Sequence, residues 1–421
     1  MINCLKNNIN IWKKARRNVS YGYYNINVNE KIHQYFDNIN KKRNIKYIND
    51  CRSCKESVDE IKNGNYNLKD LKMKIIGLDI EGYKIGKYGI VSIIQICYED
   101  IYIFDIYKCD NLYLFINYIK DILECEDIIK VMHDCREDCS ILYNQYNIHL
   151  KNILDTQVAY NLLFKCKNNY TNTYQISYDD LLKKYLFISN NHKIYFHKMI
   201  TLDNYIYLKR PIMKELISYA IQDVIYLKPL ILCIIDKFVI KEKRTDEEEC
   251  EEECEKKKFL NEKQNNKIKD NKFDKRSNTL QNTCNICSFN THDLYHTKQI
   301  IQDIILHSKK YVNYQFLNTH IKDEKKLQKG MILEGMVVSC NNTKMYLKLN
   351  MRKRGVILDY VQNKYEIGDI VKAVIVKFTS NDYINLGLYD ENILTVHTEK
   401  YIPRVEVLQN IQKLLPNEEK I

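Results

Sequence analysis

The chain has 421 residues, 45% of them hydrophobic and 28% charged, with a formal net charge of +11. That much apolar material excludes a wholly disordered chain, and the length allows more than one domain. The basic balance suits a phosphate-bearing partner, but 34 Tyr beside only 11 Gly and 4 Pro suggests a nucleotide-composition bias that would also favour Lys, so charge alone decides nothing.

The first 44 residues read as a basic extension. Residues 1–29 contain no Asp or Glu but carry Lys6, Lys13, Lys14, Arg16 and Arg17, which suits either a mitochondrial or other organelle transit peptide or a disordered basic tail. The 15 cysteines are scattered without a framework, many in apolar segments such as "IIQICYED". There is no secretory h-region and no apolar run long enough to span a membrane, so an intracellular, reducing setting (cytoplasm or nucleus) is expected.

From about residue 45 the pattern turns globular. "IKYIND" is strand-like, and "CRSCKESVDEIKNG" reads as a short helix stopped by Gly64, with Cys51 and Cys54 one turn apart. Half a zinc site is the alternative there, but no second pair lies nearby. "MKIIGLDIEG", "IVSIIQICYED" and "IYIFDIY" read as three successive antiparallel strands. Helical patterns and a further strand, "IIKVMHD", follow, so residues 45–240 read as an α/β domain.

Residues 241–283, which include "DEEECEEECE", have no periodic apolar face and read as a charged, disordered linker. A helical connector is expected over 284–325. Cys284, Cys287, His292 and His296 have the donor types of a tetrahedral zinc site, although the loop between the pairs is shorter than in common zinc fingers. Over 326–390 five short strands, "MILEGMVVS", "KMYLKL", "RGVILDY", "IVKAVIVKF" and "YINLGL", have the number and size of an OB barrel. A tail over 391–421 completes the chain.

The puzzle is "KIIGLDIEG", residues 74–82, an apolar strand with two carboxylates inside it. Residues two apart in a strand share a face, so Ile76, Leu78 and Ile80 face a core while Asp79 and Glu81 project together from the other side. Such carboxylates repel, and neither is stable ionised without a cation; hard divalent ions take oxygen ligands of this kind. Two further stretches place acids in similar company. "HDCREDCSIL" carries Asp134, Glu137 and Asp138 at the start of a helical pattern, and "ELISYAIQDVIYL" carries Asp223 in an apolar helix with Tyr219 four residues before it, on the same face.

These stretches resemble the DEDD 3′-5′ exonucleases of the RNase D and Egalitarian-type branch. "GLDIEG" is similar to the first motif, Asp-x-Glu. "HDCREDCSIL" with "DTQVAYNLL" is similar to the second, and "KRPIMKELISYAIQDVIYL" to the third, Tyr-x-x-x-Asp with its preceding Arg-Pro. The resemblance covers about residues 45–235 and implies an RNase H-like mixed sheet flanked by helices, followed here by the small barrel. It implies that Asp79, Glu81, Asp138 and Asp223 hold two divalent ions, Mg²⁺ or Mn²⁺, that clamp an in-line phosphoryl displacement. Tyr219 matches the tyrosine of the DEDDy subclass and would hydrogen-bond the attacking water. Asp134 and Glu137 fall at other motif positions and read as helix N-terminal charge. His133 reads as a structural residue, and Arg136 and Lys184 as surface cations near the phosphate. In one departure, "YIYLKRP" offers Tyr where relatives often carry Trp.

The C-terminal stretch resembles an S1 domain, the RNA-binding OB fold. That implies nucleic-acid contacts from aromatic and basic side chains, with Tyr346, Arg352, Arg354, Tyr360 and Lys372 as candidates and ordinary surface as the alternative. The expectation is thus a metal-dependent 3′-5′ exonuclease acting on single-stranded nucleic acid, RNA favoured over DNA, with no membrane partner. Two alternatives stay open: a DNA exonuclease with the same acids, and a catalytically inactive RNA-binding adaptor.

Overall fold

The computed structural model describes residues 43–168, 175–188, 193–238, 291–317, 324–341, 343–351, 353–358, 364–379 and 382–389. The expected N-terminal extension up to residue 42, the charged linker, Cys284, Cys287, Arg352, Tyr360 and the C-terminal tail lie outside the described residues.

The first domain is built on a six-stranded sheet of β1 (Ile45–Ile48), β2 (Lys74–Tyr83), β3 (Ile90–Cys97), β4 (Ile101–Asp105), β5 (Ile128–Met132) and β6 (Ile153–Asp155), in the order β1-β4-β3-β2-β5-β6. The β2-β3-β4 meander is antiparallel, as three apolar runs parted by tight loops require. β1, β5 and β6 join in parallel. Every residue of β3 is buried because helices cover both faces of the sheet.

On one face lie α1 (Cys51–Asn63), α2 (Leu112–Leu123) and α3 (Arg136–Tyr146). Asp50 caps α1 by accepting from the Ser53 amide at 2.8 Å, and Asn111 caps α2 through the Leu114 amide at 3.1 Å. The alternation of β2 sends Ile76, Leu78 and Ile80 into this core, while Ile75 joins the opposite one. The opposite face is covered by α4 (Thr156–Asn168), α5 (Tyr178–Leu186), α6 (Lys193–Leu202) and α7 (Lys214–Ile225), the last continuing beyond Tyr226 to residue 238. The Lys214–Phe238 stretch is long and apolar enough to cross a membrane by length and composition, which corrects the expectation that no run is. Half of that apolar window is buried in the protein, where Leu216, Ala220, Val224, Leu230 and Ile231 belong to the core.

The stretch read as a connector holds α8 (Thr291–Val312), and this helix enters both cores. Ile300, Ile301 and Ile304 join the α7 side, and Tyr311 joins the α3 side. A 3₁₀ turn, Asn313–Phe316, leads on to the second domain. There β7 (Ile332–Cys340), β8 (Lys344–Lys348), β9 (Arg354–Leu358), β10 (Ile370–Phe378) and β11 (Tyr383–Leu388) close into a barrel in the order β10-β11-β9-β8-β7. All its pairings are antiparallel except β9 with β11. Leu333, Val337, Met345, Leu347, Ile357, Ile375, Ile384 and Leu386 fill it.

Candidate active site

β2 and α7 meet at one point, and a glycine makes the meeting close. A Cβ on Gly77 would lie 2.5 Å from the Val224 carbonyl oxygen, so only glycine admits the helix backbone there. The contact sets Asp223 opposite the acids of β2. One carboxylate oxygen from each of Asp79, Glu81 and Asp223 lies within 4.8 Å of the others. Asp138 is not in that trio but stands near enough to act on Asp79 and Glu81 through its charge. Burial, reinforced by Glu81, Asp223 and Asp138, holds the Asp79 carboxyl well above the usual carboxylate range. Burial, with Asp223, pushes Glu81 to about 8. Asp138 is raised by burial and by its neighbours Asp134 and Glu137. Carboxylates so placed either keep protons or hold cations.

Further side chains close the site. Tyr219 packs against Phe196 with tilted rings whose centres lie 4.9 Å apart, and its hydroxyl is held protonated by burial and by Asp223. Gln95, buried opposite Asp79 across the β2–β3 pair, donates to the Asp79 carbonyl at 2.9 Å and to its carboxylate at 3.1 Å when its amide is turned to suit them. Tyr207 and Tyr178 have buried hydroxyls without a formed hydrogen bond. Burial leads in holding both phenols protonated, followed by the charge of Glu81 on Tyr207 and of Asp223 on Tyr178. Three clustered carboxylates, the orphaned Tyr178 hydroxyl and the Tyr207 hydroxyl beside Glu81 are a donor set that fits hard divalent ions and their water.

The remaining motif residues hold this arrangement. Arg210 of the Arg-Pro pair donates to the buried Asp105 at the end of β4 at 2.6 Å, to Ser92 Oγ at 3.0 Å and to the Tyr207 carbonyl at 2.7 Å, which plants the Tyr207 segment on the sheet. In the second motif Asp134 takes a left-handed backbone, φ 56°. Asp155 accepts from the amides of Asp134 at 3.2 Å, Cys135 at 2.7 Å and Gln157 at 2.8 Å, so it ties that loop to the start of α4. His133 Nδ1 lies 2.8 Å from Thr156 Oγ1.

Two sequence expectations need correction. Arg136 is not a surface cation: it is 1% exposed, paired with Asp134 and stacked 4.7 Å over the Tyr311 ring of α8. Asp134 is its partner rather than a helix N-terminal charge. Glu137 lies in the first turn of α3, helix N-terminal charge as expected, and in addition pairs with Lys348 of the barrel at 2.8 Å. Lys184 is exposed and reaches the Tyr160 hydroxyl at 3.2 Å. On the barrel, Tyr346 of β8 and Tyr383 of β11 have ring centres 6.1 Å apart, and Arg354 is the register partner of Tyr383. Lys372 does not join them; it faces Glu334 on the β10–β7 seam. His296 lies on α8 and belongs to no metal-like cluster among the described residues, which do not include Cys284, Cys287 or the His292 side chain.

The sequence reading missed Gln95, Tyr178, Tyr207, Asp105 and Tyr383. Of these only Tyr207 was marked in the sequence, as one of the tyrosines of "YIYLKRP" ahead of Arg-Pro.

Residues 54–237 match a family model described as 3′-5′ exonuclease. The piRNA biogenesis protein EXD1 of Mus musculus is 32% identical over 175 residues, which are 39% of this chain and 30% of that protein. The Egalitarian protein homolog of Caenorhabditis elegans is 34% identical over 100 residues, 23% of this chain and 17% of that one. The matched part is thus less than a third of either relative. Among solved structures, Trypanosoma brucei RNase D in complex with RNA U12 is similar, with a TM-score of 0.41 and 20% identity, over 48% of this chain and 66% of that one.

Proposed function

We propose that the 3′-5′ exonuclease-family domain formed by residues 54–237 is catalytically competent and hydrolyses phosphodiester bonds from the 3′ end of single-stranded RNA, with Mg²⁺ or Mn²⁺ as cofactor. The observation that carries the reading is the convergence of Asp79, Glu81 and Asp223 within 4.8 Å, with Asp138 and Tyr219 beside them. Asp79, Glu81, Asp138 and Asp223 would hold the ions. Divalent ions bound there supply a low-pKa water and Lewis acidity for charge on phosphate oxygens. The chain's own residues do the rest. Gln95 fixes the Asp79 carboxylate, and the Tyr219 hydroxyl, steadied by Phe196, orients the attacking water. Tyr207 faces Glu81 and can restrain it with a hydrogen bond from its phenol.

Two features support RNA. A relative at 32% identity is named for piRNA biogenesis. The barrel's outer wall also offers Tyr346, Tyr383 and Arg354 together, two edge-to-face aromatic rings beside a cation, side chains of the kind that hold single strands.

The test uses purified full-length protein with end-labelled single-stranded RNA and DNA of one sequence, with Mg²⁺, with Mn²⁺ and with excess chelator. A ladder receding from the 3′ end of RNA, absent in chelator and in Asp79→Asn, is expected. Cleavage that persists in chelator rejects the metal reading. Faster loss of DNA assigns a DNA exonuclease, and tight RNA binding without cleavage assigns an adaptor.

A further inference from the structure

Three consecutive residues at the start of α3 face three different parts of the molecule. Arg136 turns to α8 and stacks on Tyr311. Asp138 turns to the acidic site but stays outside its tightest trio. Glu137, between them, turns to the second domain. Its carboxylate lies 2.8 Å from Lys348 Nζ on β8 and 3.1 Å from the Tyr314 hydroxyl in the 3₁₀ turn after α8. Its other oxygen lies where a Cβ on Gly86, φ 137°, would come within 2.7 Å, so the β2–β3 loop confines it from behind.

The barrel is clamped at this place. The Tyr314 hydroxyl also lies 2.9 Å from the Leu349 carbonyl, so its single proton serves either the barrel or Glu137 at any moment, and Lys348 supplies the charge in both cases. Asn350 donates to the Leu317 carbonyl at 2.9 Å, and Met336 of β7 is buried against Tyr314 and Leu317. Lys310 of α8 reaches Glu366 of the barrel at 2.6 Å.

We infer that Glu137 is a positioning residue through which the barrel sets the place of Asp138. The reason is mechanical. Adjacent residues in one helical turn move together, and a metal-binding group must be held to about 0.5 Å to work. A shift of the barrel that pulls or releases Glu137 therefore displaces Asp138, whose distance from the other acids is the open variable of the site. The barrel then forms part of the catalytic centre as well as a surface for the strand. This inference rests on the exonuclease reading above.

The experiment uses full-length protein and four forms: Lys348→Met, Lys348→Arg, Glu137→Gln and the Glu137→Gln/Lys348→Met double variant. Lys348 is a partly exposed barrel residue, so its replacements should fold. Amide hydrogen exchange over residues 134–146 is read first, since it needs no activity. Rates of cleavage on a trinucleotide, which offers the barrel little strand to hold, are read second. Exchange over 134–146 is expected to rise several-fold in Lys348→Met and Glu137→Gln, with no further rise in the double variant. The kcat should fall about tenfold with KM unchanged, and Lys348→Arg should restore both readouts. Unchanged exchange in Lys348→Met overturns the inference. So do raised exchange with an intact kcat, which leaves Glu137 a mere barrel anchor, and additive effects in the double variant. Should the wild-type protein prove inactive, the exonuclease reading falls by itself, while exchange and Mn²⁺ affinity in the same four forms still decide whether the barrel positions the Asp138 turn.

Discussion

Gly77→Ala puts one methyl group between the two halves of the acidic site. The added carbon would sit 2.5 Å from the Val224 carbonyl oxygen and 3.4 Å from its carbon. An ordinary contact needs about 3.5 Å, so α7 and β2 must separate by roughly 1 Å. The helix cannot yield at no cost, because Leu216, Ala220 and Val224 are fully buried on that side. Overpacking of this kind costs about 1–3 kcal/mol, and a domain of this size then loses about 2–4 °C in Tm per kcal/mol. The functional loss should be larger than the stability loss. Asp223 adjoins Val224, and Asp79 and Glu81 follow Gly77 on the same strand, so the full separation falls between the ligands. Misplacement by about 1 Å can cost on the order of 100-fold in rate. Single-turnover cleavage, Mn²⁺ titration calorimetry and thermal unfolding on one preparation would separate the two effects. A folded Gly77→Ala protein with wild-type metal affinity and rate would refute the claim that this contact sets the site.

Tyr219→Phe should lower kcat and leave KM nearly unchanged, whereas Asp223→Asn should also weaken Mn²⁺ binding; identical calorimetric traces for Asp223→Asn and wild type would remove Asp223 from the ligand set. Arg210→Met removes the cation from Asp105, which is 1% exposed and still accepts from the Tyr47 hydroxyl and the Lys108 amide, and should cost toward the low end of about 3–5 kcal/mol in urea unfolding; a loss below about 1 kcal/mol would show the pair to be dispensable. Lys130 is buried beside the Cys125 carbonyl, and burial lowers its amine to about 7. The unfolded chain therefore takes up a proton below about 10.4 that the folded chain resists until about 7, so the wild type loses stability across that interval as pH falls. Lys130→Met should remove that slope and raise Tm near pH 7 relative to pH 10; parallel pH profiles would count against it. Replacing Tyr346 and Arg354 by Ala should weaken binding of long single strands. Taking one cation off a phosphate should lower the salt slope by about 0.7, and an unchanged slope would place Arg354 away from the strand.

Much of the first domain was legible because its signals are local. Glycine and charged clusters separate the apolar runs that became β2, β3 and β4. Period two joined Asp79 to Glu81, and the helical four-residue step joined Tyr219 to Asp223. The barrel strands were legible for the same reason. What stayed hidden depends on partners far along the chain. Arg136 looks like a surface cation until Tyr311 arrives to stack on it, and the ion pair of Glu137, beyond its place in the first helical turn, needs Lys348 of the barrel. Gln95 needed the β2–β3 register, and Tyr178 is an unremarkable residue in an amphipathic helix. Lys372 was chosen by type alone, and the seam that sets it against Glu334 exists only once the barrel closes. The α8 helix read as a connector because its core partners, α3, α4 and β6, precede it by a long charged stretch.

The place of α8 also fixes an order of events during synthesis. All four acids, Tyr219 and the Arg-Pro pair leave the ribosome before residue 240. Tyr311, which covers the Arg136 guanidinium, and Ser308, whose hydroxyl accepts from the Asp155 amide at 3.1 Å, emerge some 70 residues later. A nascent chain therefore holds the whole chemical inventory of the site before it holds the helix that braces the second motif, and its unfilled groove beside Ile153 and Leu154 is apolar. A chain arrested near residue 290 should be sensitive to protease around Arg136 and should resist cleavage there once residue 317 is out of the exit tunnel. Equal protection at both lengths would show that the motif braces itself.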